Sequence, residues 1–239
     1  MIVSNALSFA QKELKKQNIK SNIIDSEVLL SYILQRERSS LLINRDNYII
    51  SKFQFNKFKD LIEQRKKRKP VSQIIGKKYF WKYCFHINKF TLTPRPETEH
   101  LIELSLKNIN NFKKSSILDI GTGSGCIIIS LLKESESSNG VAIDICKEAL
   151  NIAKYNAKMH HIENRIKFFK SSVDKFLFGT YDLIVSNPPY INKLKIKYLD
   201  EDVKNYDPKI SLNGGEEGLE VIKSVIFCAK KLCKLNGKL

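Results

Sequence analysis

The sequence predicts an α/β protein in which a small helical domain precedes a parallel sheet with helices on both faces. Two observations favour this fold class. The first 69 residues contain neither glycine nor proline, although the chain of 239 residues holds ten and six of them. From residue 117 onward, short apolar segments alternate with helix-like segments, an order typical of parallel strands joined by helical crossovers.

Residues 1–69 are predicted to form a helical domain, because their apolar residues recur at helical spacing without a breaker. Asp25 or Ser26 is expected to cap a second helix, and a longer helix is expected to start near Ser51. The apolar stripe predicted for the first helix comprises Ile2, Ala6, Leu7, Ala10 and Leu14.

Residues 70–92 are predicted to form a β-hairpin connector, since aromatic and β-branched residues surround Gly76. Residues 93–239 then carry strand signals at 117–120, 141–143, 166–169 and 181–186, with helices after the first two. Such a doubly covered parallel sheet binds its ligands at the carboxyl ends of the strands. The α/β domain is therefore expected to carry the functional site at that edge.

Charge is distributed unevenly along the chain, whose formal net charge is +16. Residues 1–90 hold 19 Lys and Arg against 7 Asp and Glu, whereas residues 91–239 hold 22 against 18. A basic N-terminal lobe favours acidic partners such as nucleic acid or a ribosome. A lysine-rich, solvated face is the alternative interpretation of the same excess.

The five cysteines are odd in number and form no C-x-x-C pair, so they are interpreted as buried thiols of a reducing compartment, and no metal site is predicted. The chain has no run of eighteen apolar residues and no signal-peptide pattern at its N-terminus. These features predict a cytoplasmic protein without membrane contact.

A glycine-rich segment at residues 121–125 joins the first strand to the following helix. Glycine lets the backbone turn sharply and lets a ligand approach closely, although such turns are often purely structural. Asp144 ends the second strand, where its carboxylate is expected to accept hydrogen bonds from the hydroxyls of a ribose. Capping the next helix is the alternative role of Asp144. Together these features predict a nucleoside cofactor and leave NAD and S-adenosylmethionine open.

The fourth strand runs into Asn187-Pro188-Pro189-Tyr190, and this element points to the chemistry. Consecutive prolines stiffen the backbone and present its carbonyls. If the Asn187 side-chain oxygen and the Pro188 carbonyl each accept one hydrogen of an NH₂ group, its nitrogen is held in line with a methyl sulfonium and its developing positive charge is stabilised. Tyr190 is expected to pack against the flat group. The element predicts methylation of a planar NH₂ group; a purely structural turn is the alternative.

Over nearly its whole length the chain resembles the peptide chain release factor N5-glutamine methyltransferases. The similar segments are residues 92–99, 121–125, 186–190 and 214–219, together with Asp144. The N-P-P-Y element is shared with DNA amino methyltransferases, whereas the P-R-P-E-T-E segment at residues 94–99 is similar to the release-factor family and is not expected in the DNA enzymes or in ribosomal-protein methyltransferases.

The resemblance implies a Rossmann-like class I methyltransferase sheet, S-adenosylmethionine as cofactor, and a monomer whose helical domain binds the substrate. The implied substrate is the glutamine of the Gly-Gly-Gln motif in class 1 release factors. The implied catalytic and substrate-binding residues are Asn187, Pro188, Pro189 and Tyr190. The implied cofactor contacts are Gly121, Thr122, Gly123, Ser124, Gly125, Asp144, Ser172 and Asn187.

The sequence departs from the family pattern at two places. Ser171 and Ser172 stand where the family usually has an aspartate followed by a large residue, with Asp174 as the substitute acid. The chain stops at residues 235–239, which resemble the entry to the fifth strand, so the C-terminal strands are predicted to be missing. Two alternatives stay open: a nucleic acid methyltransferase acting on adenine N6, and a truncated remnant without catalysis.

Overall fold

The computed structural model describes residues 1–109 and 114–239, and it divides into two compact units, residues 1–76 and 77–239. The first unit is helical, because its apolar residues line the inner faces of successive helices. Ser51 and Gln54 form a reciprocal capping box, so the longest of these helices begins where the sequence predicted it. The helices are α1 (Val3–Lys16), α2 (Asn22–Leu34), α3 (Arg38–Ile43), α4 (Lys52–Lys66) and α5 (Val71–Ile75).

Asp25 stabilises the first unit through an ion pair. Its predicted capping role is wrong, and so is that of Ser26, because α2 begins three residues earlier, at Asn22. The carboxylate oxygen Oδ2 of Asp25 instead accepts hydrogen bonds from Nε of Arg65 and Oγ of Ser21, both at 2.7 Å. The Asp25 and Arg65 side chains are only 11% and 6% exposed. The pair therefore joins α2 to α4 where water screens it little.

Replacing Asp25 by alanine is expected to lower the free energy of unfolding by about 3 kcal/mol, because it removes the carboxylate from a guanidinium that stays buried. Urea unfolding of the full chain, followed by the far-ultraviolet circular dichroism of the helices, measures this. The matched control is Asp46→Ala, which breaks an exposed pair with Arg45 and is expected to cost less than about 0.5 kcal/mol. Equal effects of the two variants would contradict the prediction.

The segment predicted as a hairpin connector, residues 70–92, begins instead with a helix. Residues 71–75 form α5, whose apolar side chains pack against the core of the first unit. Gly76 ends α5 in the left-handed conformation, with φ of +76°. The antiparallel hairpin follows as β1 (Lys77–Phe80) and β2 (Tyr83–His86), within the second unit. The boundary between the units thus lies after residue 76, not after residue 69.

The second unit is built on a parallel sheet, as the sequence predicted. Its strands are ordered β5-β4-β3-β6-β7 and pair in parallel throughout. The strands are β3 (Ser116–Ile120), β4 (Asn139–Asp144), β5 (Ile166–Lys170), β6 (Tyr181–Ser186) and β7 (Cys233–Lys238). The helices are α6 (Glu99–Asn108), α7 (Cys126–Glu134), α8 (Lys147–Met159), α9 (Glu201–Lys204) and α10 (Glu220–Leu232).

Both faces of the three central strands, β4, β3 and β6, are buried, whereas the edge strands β5 and β7 are largely exposed. Because side chains alternate along a strand, Ile117 of β3 joins a core with α6, α7 and the hairpin, whereas Leu118 joins a core with α10. In the sheet, β4 and β5 lie on one side of β3, and β6 and β7 lie on the other. The strand order therefore reverses beside β3. Sheets of this kind bind their ligands at this switch point, outside the carboxyl ends of the strands.

No helix among residues 1–109 and 114–239 is long and apolar enough to cross a membrane.

Candidate active site

A pocket of about 400 Å³ lies at the carboxyl ends of β3, β4 and β6, in the second unit. It brings together residues that are far apart in the sequence. The predicted site residues that line it are Gly121, Thr122, Gly123, Ser124, Asp144, Ser172, Asn187, Pro188 and Pro189. Gly125 and Tyr190, also predicted, are not among the lining residues. Nearly all the predicted contacts thus share one cavity.

The glycine loop is held in shape by the end of β4. The amides of Gly121 and Thr122 both donate to the Ile143 carbonyl, at 2.9 and 3.0 Å. The amide of Gly123 donates to Oδ2 of Asp144 at 2.9 Å. These three amides already donate to groups within the protein. The loop therefore provides space for a ligand rather than these hydrogen-bond donors.

The three glycines of the loop have different structural roles. A Cβ atom at Gly121 would meet nothing within 4 Å, and one at Gly123 would meet only a carbonyl oxygen at 4.0 Å, so this face is open. A Cβ atom at Gly125 would lie 2.9 Å from Ile129 and 3.2 Å from Ala153, on α7 and α8. Gly125, predicted as a cofactor contact, therefore sits where α7 packs on α8, and its amide donates to the Thr122 carbonyl.

The Asp144 carboxylate does not cap α8, because the N-cap residue of that helix is Cys146, whose side chain makes no capping hydrogen bond, so the alternative capping role is wrong. One oxygen accepts from Gly123, and the other accepts from the amide of Cys146, just before α8, at 2.9 Å. Each oxygen retains a second lone pair, and the side chain lines the pocket. Burial raises the pKa of Asp144 above its usual value. The carboxylate therefore holds the glycine loop to the segment before α8 and keeps lone pairs for a ligand.

Asp119 lies beneath the same loop and is fully buried. Its Oδ2 accepts from the Thr122 hydroxyl at 2.7 Å, whereas its Oδ1 has no hydrogen-bond partner among the residues that the structure describes. Burial raises the pKa of Asp119 to about 7, against a smaller opposing contribution from Thr122. Sequence reasoning gave Asp119 no role, and the structure makes it the anchor of the loop.

The wall beyond β5 is formed by residues 171–174. The amide of Ser171 donates to the Asp144 carbonyl at 3.1 Å, and its hydroxyl donates to the Ser172 carbonyl at 3.0 Å. Val173 and Asp174 also line the cavity, so the acid that the sequence offered as a substitute reaches it. Together with the open glycine face and Asp144, this wall encloses a cavity large enough for an adenosyl group.

Asn187 follows directly on the last paired residue of β6, since Ser186 is opposite Ile120 of β3. The Ser186 hydroxyl donates to the Ile120 carbonyl at 2.8 Å, which ties the end of β6 to the start of the glycine loop. The Asn187 side-chain nitrogen Nδ2 donates to Oγ1 of Thr98 at 3.2 Å. Asn187 therefore enters the pocket from a fixed strand end. Tyr190 is 66% exposed.

The glycine-rich segment at residues 214–218 packs against the backbone of the N-P-P-Y element. The amide of Gly214 donates to the Ile191 carbonyl at 2.9 Å. A Cβ atom at Gly214 would lie 2.8 Å from the Pro189 carbonyl oxygen and 2.6 Å from that of Gly218. Because both obstacles are backbone atoms, only glycine allows this close approach.

The P-R-P-E-T-E segment is anchored at both of its ends. Nη2 of Arg95 donates to Oδ2 of Asp207 at 2.5 Å, and the Thr93 hydroxyl donates to Oδ1 of Asp207 at 3.3 Å. At the other end, Oε1 of Glu99 accepts from the Trp81 amide at 2.8 Å. Between these anchors, Pro94, Arg95 and Thr98 line the pocket. Asp207 carried no signal in the sequence, because its partners lie more than a hundred residues away.

Among the residues that the structure describes, no group of three or more His, Cys, Asp and Glu side chains could hold a metal ion.

Comparison with known proteins identifies the family. Residues 5–76 match the family model "PrmC N-terminal domain", and residues 99–202 match "Methyltransferase small domain". The hMettl16 catalytic domain, solved in complex with MAT2A 3'UTR hairpin 6, shares the fold with a TM-score of 0.53 and 21% identity, over 63% of this chain and 58% of that one.

Two curated relatives are much closer in sequence. The release factor glutamine methyltransferase of Clostridium acetobutylicum is 36% identical and aligns over 99% of this chain and 84% of its own length. That of Buchnera aphidicola subsp. Baizongia pistaciae is 35% identical over 97% of this chain and 82% of its own length. Since such identity spans nearly the whole chain and most of each relative, the chain belongs to the release factor glutamine methyltransferases, a family of S-adenosylmethionine-dependent enzymes.

Proposed function

We propose that this chain methylates the side-chain amide nitrogen, N5, of the glutamine in the Gly-Gly-Gln motif of class 1 peptide chain release factors. The observation that carries the proposal is the position of Asn187 and Pro188, which line one pocket with the open glycine loop and Asp144. The named activity of the curated relatives, release factor glutamine methyltransferase, supports the choice of substrate.

S-adenosylmethionine, when bound, supplies a methyl group on a sulfonium, which is a good leaving group. The residues proposed to hold it are the same ones that line the pocket. Gly121 and Gly123 leave space for the ligand because their Cα atoms carry no side chain. Asp144 accepts hydrogen bonds from the ribose hydroxyls, and Ser172 lies beside the base.

Asn187 and Pro188 are proposed to bind the substrate amide. A planar amide nitrogen is a poor nucleophile, because its lone pair is delocalised into the carbonyl. The oxygen of the Asn187 side chain and the carbonyl oxygen of Pro188 each accept one N–H of the glutamine amide, which orients the nitrogen and stabilises the positive charge that it gains. The consecutive prolines keep these acceptors in place before the substrate arrives. The proton then leaves to solvent, so the residues need no tuned base.

The helical domain, predicted as residues 1–69, is proposed to bind the release factor. Its composition is basic: the compact unit 1–76 carries 15 Lys and Arg against 7 Asp and Glu. Such a surface attracts acidic segments of a protein partner. Contacts with nucleic acid or a ribosome through the same lobe, a monomeric state and a cytoplasmic location stay predictions.

The test is methyl transfer from radiolabelled S-adenosylmethionine to a purified class 1 release factor, with the site located by peptide mass spectrometry. We expect one methyl group on the glutamine of the Gly-Gly-Gln peptide. The matched control is a release factor in which that glutamine is alanine, which should stay unlabelled. Duplex DNA and RNA form a third arm. Label in the nucleic acid, or none in the intact release factor, would refute the proposal.

A further inference from the structure

The proposed role of Asn187 depends on which end of its carboxamide faces the substrate. The two ends are similar in size and opposite in hydrogen-bonding character, since oxygen accepts and NH₂ donates. Rotation about the last side-chain bond has a broad, two-fold profile, so the bond itself selects neither orientation. With NH₂ toward the pocket, Asn187 would set donors against the donors of the substrate amide. A second residue that accepts a hydrogen bond from the NH₂ end would stabilise the productive orientation before the substrate arrives.

Thr98 is placed to accept that hydrogen bond. Its Oγ1 accepts the hydrogen bond from Nδ2 of Asn187 at 3.2 Å, so the other end of the carboxamide, Oδ1, remains for the substrate. Both residues line the pocket. The contact spans 89 residues of sequence and connects the P-R-P-E-T-E segment to the N-P-P-Y element. These are two of the segments on which the family resemblance rests.

The backbone around Thr98 is fixed on both sides. Residues 96–98 form a 3₁₀ turn, in which the Thr98 amide donates to the Arg95 carbonyl at 3.0 Å. Arg95 is bound to the buried Asp207 carboxylate, and Glu99 accepts from the Trp81 amide. The Thr98 hydroxyl therefore lies on a turn whose position is fixed by hydrogen bonds on both sides.

We propose that Thr98 is a positioning residue, which holds the Asn187 carboxamide with its oxygen toward the amide that is methylated. This inference rests on the proposed function of Asn187. It gives the P-R-P-E-T-E segment a positioning role: Thr98 orients the acceptor oxygen of Asn187. Thr98 acts on the reaction through Asn187.

The first test compares two substitutions of the same residue. Thr98→Val keeps the shape of the side chain and removes the hydroxyl, so kcat is expected to fall about tenfold, because less of the enzyme then holds the Asn187 oxygen toward the substrate amide. The KM values for release factor and S-adenosylmethionine are expected to stay within about twofold. Thr98→Ser restores the hydroxyl and is expected to recover most of kcat. Thr180→Val, in an exposed loop, is the matched control.

The second test needs no release factor. In the ¹⁵N-labelled enzyme, the side-chain NH₂ signals of Asn187 are assigned by their loss in Asn187→Ala. In Thr98→Val these signals are expected to shift and to exchange with water faster, because Nδ2 loses its acceptor. The Thr180→Val signals should match those of the native enzyme. This measurement tests whether Thr98 accepts a hydrogen bond from Asn187, and it does so even if the enzyme does not methylate the release factor.

The outcomes separate the two proposals. Unchanged Asn187 signals and unchanged kcat in Thr98→Val would overturn the role of Thr98 while leaving the proposed function intact. A fall in affinity for S-adenosylmethionine as large as the fall in kcat would also overturn it, since Thr98 would then support the pocket as a whole. Absence of methylation by the native enzyme, with Asn187 signals that respond to Thr98→Val, would refute the proposed function alone.

Discussion

Replacing Asn187 by alanine is expected to slow methyl transfer by a factor of about 10² to 10³, the effect of removing one preorganised polar group from a transition state. The substrate amide loses one of its two acceptors, and the nitrogen loses both its orientation and the stabilisation of its developing charge. S-adenosylmethionine binding is expected to stay within about threefold, because the glycine loop and Asp144 are unchanged. Single-turnover transfer to a release factor measures the first quantity, and calorimetry the second.

Two further variants sharpen this test. Asn151→Ala makes the same change on the exposed face of α8, away from the pocket, and should leave the rate unchanged. Asn187→Asp keeps an acceptor oxygen toward the substrate and should retain more activity than Asn187→Ala. If the alanine variant transferred methyl groups at the native rate, Asn187 would have no part in the reaction. If the alanine variant lost affinity for S-adenosylmethionine in parallel with the rate, the role of Asn187 would be in binding the cofactor.

Replacing Asp144 by alanine is expected to weaken S-adenosylmethionine binding by at least about 100-fold. Hydrogen bonds to a charged group contribute about 1.5–3 kcal/mol each, and two ribose hydroxyls are within the proposed reach of this carboxylate. The same change releases the amide of Gly123, which the carboxylate holds at 2.9 Å, so the loop loses part of its support as well. Calorimetric titration of the full chain with S-adenosylmethionine measures the loss.

The control for Asp144 is Asp60→Ala, on the exposed face of α4 in the other unit. It removes the same charge from the protein and should leave the affinity unchanged. Circular dichroism of both variants tests whether they fold equally. Native affinity in a folded Asp144→Ala protein would contradict the assignment of this carboxylate to the ribose.

Sequence reasoning succeeded where the signal was local. The strand that ends at Ser186 and the stiff element after it were predictable, because apolar alternation and consecutive prolines act on neighbouring residues. It failed at Asp25, since an acid near a helix start suggests a cap, whereas the actual partner, Arg65, lies 40 residues away. It also placed the domain boundary seven residues early, because Pro70 opens a short helix rather than a strand.

The sequence by itself determined strands β3 to β6 with the helices α7 and α8 between them, where the glycine loop lies and which strand end carries the asparagine. These features follow from side-chain periodicity and backbone restrictions, which depend on adjacent residues. Only the tertiary structure decided that Thr98 meets Asn187, that Asp207 holds Arg95 and that Gly214 lies behind Pro189. Those contacts depend on the order of the strands in the sheet, which brings distant chain segments to one edge and is set by the packing of the whole unit.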